Sequence, residues 1–253
     1  MKISVITAVH NGIDTIQSAI DSVRVQTHTP VEHVVIDGMS NDGTEVVLER
    51  NTNNIANLIR EPDQGIYDAL NKGIRSATGD IIGFLHADDL LATPDALGWV
   101  ADKFQSENVD AVYADLAYVD AENPSRIIRY WKAGNYQRPK FRRGWMPPHP
   151  TVYVKKTIYE RFGMYRTTIG SGADYECLIR LLVKHEIQVG YIPEILVKMR
   201  VGGTSNASFK NRVAANRMDR QAWVDNDLKP PFGLRFSKPF SKVPQYWRRP
   251  KSS

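Results

Sequence analysis

Cysteine is almost missing from this chain: its 253 residues include only Cys177, so no intramolecular disulfide can form and nothing argues for an oxidising compartment. Long apolar runs are missing too. No stretch of 18 apolar residues occurs, which excludes a helical membrane span. The opening run, Met1-Lys2-Ile3-Ser4-Val5-Ile6-Thr7, reads as a strand and lacks the basic start and apolar stretch of a signal peptide. The expected compartment is therefore the cytoplasm. There is no internal repeat. What remains, 42% hydrophobic and 24% charged residues, is ordinary soluble-globular composition in a chain long enough to bury a full core.

The formal charge of +5 is unevenly spread. From Ser205 onward eleven Lys/Arg face three acids, Asp219, Asp225 and Asp227, a net +8 that leaves −3 for the rest. A weakly acidic body argues against a nucleic-acid binder. The basic tail also holds Trp223, Phe232, Phe236, Phe240, Tyr246 and Trp247, a mixture that suits an anionic membrane interface, a docking partner or a solvated tail.

Apolar runs at Ile3 to Val9, Val31 to Asp37, Ala56 to Arg60 and Asp80 to Leu85 read as strands. Helical stripes follow the first and the third: Ile13, Ile16, Ile20 and Val23, then Ile66, Ala69, Leu70, Gly73, Ile74 and Ala77. Thr44 to Arg50 reads as a short helix, and Thr93-Pro94 opens another, with Thr as its cap. Such alternation implies a parallel α/β sheet, whose ligands bind beyond the carboxyl ends of the strands. Those ends carry Asn11, Asp37, Asp63 and the group His86-Ala87-Asp88-Asp89. An edge this acidic suits a ligand held through a metal ion. In the second half, Ala111 to Val119, Arg126 to Trp131 and Tyr191 to Met199 read as strands, Arg138 to Pro150 as a loop, and Ala173 to Lys184 and Phe209 to Val224 as helices.

Adjacent carboxylates at Asp88 and Asp89 can ligate a hard divalent cation that leaves positions open for phosphate oxygens, or one of them can cap the helix that follows. Asp37 can accept the hydrogens of a nucleobase, or it can serve the turn Gly38-Met39-Ser40-Asn41-Asp42-Gly43. Trp145 and Tyr153 can line a sugar groove or pack in the core, and Cys177 falls on a helical stripe as a core residue.

In order and spacing these stretches resemble family 2 glycosyltransferases. Thr7 to Asn11 matches a Thr-x-x-x-Asn strand end, and Asp37 to Thr44 matches the family's second strand end, with Met39 in place of the usual Gly. Glu61 to Gly73 is similar to members that build bacterial surface polysaccharides of the colanic acid or exopolysaccharide type, and Gly79 to Leu85 leads into the metal motif. The resemblance implies a GT-A fold, a nucleotide-sugar donor (commonly a UDP-sugar), Mn2+ or Mg2+, and inversion at the anomeric carbon. It implies base reading by Asp37, nucleoside contacts from Thr7 and Val9, and Asp63 and Lys72 near the base or phosphates. His86 stands where the family's Asp-x-Asp motif begins, leaving Asp88, with Asp89 second, as metal ligand. The site resembled by Ser171 to Glu176 makes Asp174 the general base, with Glu176 as fallback. His149 resembles a residue near the diphosphate or acceptor, and Arg180 one that steadies the helix or binds phosphate.

The expected organisation is a transferase domain over 1–204, with a nucleotide half at 1–91 and an acceptor half at 92–204, followed by a basic aromatic extension at 205–253. The expected acceptor is a saccharide, free or linked to polyprenyl diphosphate, with peripheral contact to the inner membrane face through that extension. A GT-A binding protein without catalysis is the competing reading. A dehydrogenase is excluded because no Gly-x-Gly-x-x-Gly follows the first strand.

Overall fold

The computed structural model describes residues 1–202 and 218–232. One mixed sheet organises them, in the order β3-β2-β1-β4-β8-β6-β9-β5, with β7 also on β6. The first half of the chain contributes β1 (Ile3–Val9), β2 (Val31–Asp37), β3 (Asn57–Arg60) and β4 (Ile81–Phe84), all mutually parallel. β1 and β4 lie inside the sheet with helices over it, which is why their sequences are continuous apolar runs rather than alternating ones. Helix α1 (Ile16–Arg24) buries Ile16, Ala19, Ile20 and Val23, so the stripe read in the sequence holds except at Ile13, which precedes the helix and is exposed; α3 (Ile66–Ser76) buries Ala69, Leu70, Gly73 and Ile74, while Ile66 is exposed. Between them stands α2 (Thr44–Arg50).

Beyond β4 the pairing changes. The short β5 (Asp89–Leu91) pairs antiparallel with β9 (Val189–Arg200), setting Asp89 opposite Met199. This strand is absent from the sequence reading because three residues carry no periodicity. Helix α4 (Ala96–Ser106) begins after Asp95, so Thr93 is not its cap, and neither Asp88 nor Asp89 caps it. Strand β6 (Ala111–Val119) pairs with β7 (Ile127–Trp131) and β8 (Tyr153–Lys155) along one side and with β9 along the other. The stretch expected as a loop holds α5 (Arg138–Arg142) and a 3-10 turn at His149–Thr151. After α6 (Lys156–Phe162), the helix expected at 173–184 is α7 (Ala173–Leu178) running into a π-helical turn, Ile179–Lys184.

Of the helix expected over 209–224, residues 218–224 are described and helical (α8), while 209–217 lie outside the described residues. Trp223 is not an interfacial aromatic. It is fully buried and donates its indole N–H to Tyr175 Oη at 3.1 Å, while Asn226 reaches Glu176. Tyr153 is likewise fully buried, and Trp145 packs on Phe141 and Tyr113, so both serve the core. Phe236, Phe240, Tyr246 and Trp247 lie outside the described residues. No helix of the described residues is long and apolar enough to cross a membrane.

Candidate active site

The parallel register lines up the ends of the first four strands. Val9 is paired with Asp37, Asp37 with Arg60, and Ile6 with Phe84, so the loops after β1, β2, β3 and β4 rise from one edge. Asp37 is fully buried there. Its Oδ1 accepts from the Ser40 amide at 3.0 Å and the Ser40 hydroxyl at 2.5 Å, and Oδ2 lies 2.9 Å from Arg60 Nε, off the line of a hydrogen bond. Arg60 also donates to the Ser40 carbonyl. Arg60 was not singled out in the sequence, although a basic residue ending the strand beside Asp37 was a usable signal.

Asn11 holds φ 55 and clasps the same turn, with its amide on Ser40 Oγ at 2.8 Å and its Oδ1 accepting from Asn41 N at 3.0 Å. The Asp63 carboxylate lies over the end of β2, against Gly38, where a Cβ would displace it. Thr7 is buried with its hydroxyl 3.0 Å from His33 Nε2, and Val9 is buried too, its carbonyl accepting from Gly38 N. Lys72 turns back on its own segment, 3.0 Å from Glu61, 2.6 Å from the Pro62 carbonyl and 3.7 Å from Asp68. Its hydrogen bond to Glu61 raises its pKa.

Past β4, Ala87 sits against Gly12, and Asp88 is half-buried with its carbonyl held by Arg200 at 2.7 Å. Asp89 is fully buried, and both of its carboxylate oxygens are without a hydrogen-bond partner. Burial, and then the neighbouring Asp88, pushes its pKa well up. An orphaned buried carboxylate beside an accessible one is a donor set short of positive charge. Among the described residues no three His, Cys, Asp or Glu side chains form a ligand cluster. That still fits a cation held by one or two carboxylates and completed by water and phosphate oxygens.

From the second half, α7 presents Asp174 towards the same edge. Its Oδ2 lies 3.2 Å from His149 Nδ1, and Nε2 of His149 lies 3.2 Å from Nε2 of His86. Two facing ring nitrogens need one proton between them. Burial, with His149 opposite, pulls the His86 pKa down to about 4, so near neutral pH His86 is uncharged. The helix beneath Asp174 is pinned by Glu176 and Arg180, both buried and paired at 3.0 Å, with Arg180 also on the Phe162, Gly163 and Met164 carbonyls. Arg180 therefore steadies the helix, and Glu176 is committed to that pair. Cys177 is buried, with its thiol pushed up to about 12, and is no nucleophile.

The comparisons agree with this architecture. An uncharacterized glycosyltransferase of Mycobacterium tuberculosis is 31% identical over 180 residues, covering 70% of this chain and 68% of its own. A "PGL/p-HBAD biosynthesis glycosyltransferase" of Mycobacterium bovis is 30% identical over 207 residues, covering 80% of this chain and 78% of its own. Among solved structures, S. aureus TarS 1–349 with UDP-GlcNAc superposes with a TM-score of 0.68 at 16% identity, over 91% of this chain and 68% of that one. Glucosyl-3-phosphoglycerate synthase from Mycobacterium tuberculosis, with Mn2+, UDP and glucosyl-3-phosphoglycerate, gives 0.64 at 18% identity, over 92% and 82%. These likenesses show the α/β GT-A fold. The profile of the family described as "Glycosyl transferase family 2" matches residues 4–163, and the chain belongs to that family of glycosyltransferases.

Proposed function

We propose that this enzyme moves a sugar, with inversion, from a UDP-sugar to a hydroxyl of a saccharide acceptor, with Asp88 as metal ligand and Asp174 as general base. The observation that carries the reading is convergence. Half-buried Asp88 follows β4 in the nucleotide half, and Asp174 arrives from the other half through His149 and His86. Asp174 would take the acceptor's hydroxyl proton as that oxygen attacks the anomeric carbon. The bond to the diphosphate breaks on the opposite face, and its electron pair leaves with the nucleotide. Asp88, with Asp89 behind it, would hold a Mn2+ or Mg2+ ion that offsets charge on the departing diphosphate.

The turn around Asp37 would form the wall of the base pocket. Asp37 fixes Ser40 and Arg60 there, with Asn11 and Asp63 at its rim and Thr7 and Val9 as its floor. Lys72 would order residues 61–68 beside it. A lipid-linked acceptor is consistent with the basic residues after Ser205, which suit an anionic membrane surface.

A ligand that binds only the folded state raises its melting temperature. UDP with Mn2+ should raise it, while UDP alone, or GDP or ADP with Mn2+, should not. A shift with GDP alone would change the donor, and no shift with any nucleotide would favour a binding protein of another specificity.

A further inference from the structure

The neighbouring acids Asp88 and Asp89 are held in place by a residue more than a hundred positions away in the chain. Antiparallel pairing sets Asp89 opposite Met199, so Arg200, the last residue of β9, comes to lie beside Asp88. On its other side β9 pairs Arg200 with Val119, the last residue of β6. The half-buried guanidinium spreads its nitrogens over separate segments. One terminal nitrogen donates to the Asp88 carbonyl at 2.7 Å, the other to Ser18 Oγ of α1 at 3.0 Å, and Nε to the Ala121 carbonyl beyond β6 at 3.3 Å. Ser18 can receive that bond because its own proton goes to the Thr15 carbonyl at 2.6 Å. One turn on, Ser22 repeats the arrangement: it donates to the Ala19 carbonyl at 2.8 Å and accepts from the Leu91 amide at 3.2 Å. Helix α1 thus grips the short β5 at both ends, Leu91 directly and Asp88 through Arg200.

We propose that Arg200 is a positioning residue for metal binding: by clamping the Asp88 carbonyl against α1 and the β6–β7 connection, it fixes the direction in which the Asp88 carboxylate meets the cation. This rests on the reading of Asp88 as metal ligand. Strand β5 is three residues long and stands at the edge of the sheet, so its own ladder gives residue 88 little support. The support comes through the peptide that joins the two acids. Its N–H, on Asp89, donates to the His86 carbonyl at 3.0 Å, and its C=O, on Asp88, accepts from Arg200. A planar peptide tied at both polar ends holds the backbone that carries both carboxylates. An arginine suits this task because its rigid fork meets several acceptors at fixed angles, whereas an ammonium is one point on a flexible stem.

The test titrates Mn2+ into the full chain at saturating UDP, with uptake read from the loss of the free ion's paramagnetic resonance signal. Arg200→Lys keeps the charge and loses the fork, while Arg200→Gln loses both. Each should weaken Mn2+ binding about tenfold, the low end for removing a residue that orients a metal ligand. A role in stability alone would lower the melting temperature and leave the Mn2+ affinity of the folded protein unchanged, and that result would overturn the inference. So would wild-type affinity in Arg200→Lys beside a loss in Arg200→Gln, because charge and not the clamp would then be at work. Ser18→Ala removes one of the holds on Arg200 and serves if neither Arg200 variant folds: Mn2+ should again bind more weakly, and wild-type affinity would overturn the inference. Asp88→Asn separates the two ideas. If it binds Mn2+ as the wild type does, the reading of Asp88 itself fails. If it loses Mn2+ while the Arg200 variants match wild type, only the inference about Arg200 fails.

Discussion

Met39 holds φ 65 with its side chain 47% exposed. A side chain in that left-handed region costs about 1–2 kcal/mol, and this one has no core packing to offset it. The family's usual glycine at this position thus has a steric reason. Met39→Gly should stabilise the protein by about 1 kcal/mol, after the entropy a glycine loses on folding, and raise its melting temperature by about 2–4 °C; a lower melting temperature by calorimetry would show that Met39 packs usefully. The same turn marks what was legible at this scale. Asp37 stood out in the sequence because an acid ending an apolar strand is conspicuous. Ser40 lies three residues on in the same turn, and a basic residue ending the next strand hinted at Arg60, but that the two enclose Asp37 follows from the pairing of β2 with β3.

Helix α7 is six residues long, too short to hold Asp174 by its own hydrogen bonds. It is anchored instead by the buried Glu176–Arg180 pair, by Arg180 on three carbonyls of the preceding loop, and by Asn226 and Trp223 from behind. Removing Arg180 leaves the buried Glu176 with the partly exposed Arg166 at 3.3 Å and with Asn226, and leaves three carbonyls without this donor. Arg180→Met should cost about 3 kcal/mol of stability, the low end for a broken buried pair, read in urea denaturation. Activity should fall with it because Asp174, the proposed base, loses its platform. A loss below about 1 kcal/mol would place the anchoring elsewhere. Periodicity revealed this helix, and also α1 and α3, because each buries one stripe against the sheet. It could not reveal β5, which depends on pairing with β9, or the π-helical turn at 179–184, whose apolar stripe reads the same as that of an α-helix.

At the scale of the molecule, the sheet brings together two halves with different rules. Residues 3–84 form parallel strands whose carboxyl ends share one edge, and their alternation with helices made that half readable from the sequence. The second half is built from strands that β6 gathers on both sides, with 218–228 folded back onto α7, and such long-range pairing leaves little local trace. The candidate site lies where the halves meet, through His86, His149 and Asp174. The central claim is that each half does a separate job there, donor holding at Asp88 and proton removal at Asp174. It is tested most directly by titrating UDP with Mn2+ into Asp88→Asn and Asp174→Asn by calorimetry, and following nucleotide release from the matching donor sugar in both. The account predicts that Asp88→Asn loses the metal-dependent binding, whereas Asp174→Asn binds as wild type does and releases no nucleotide. Equal loss of UDP affinity in both variants, or wild-type turnover by Asp174→Asn, would contradict it.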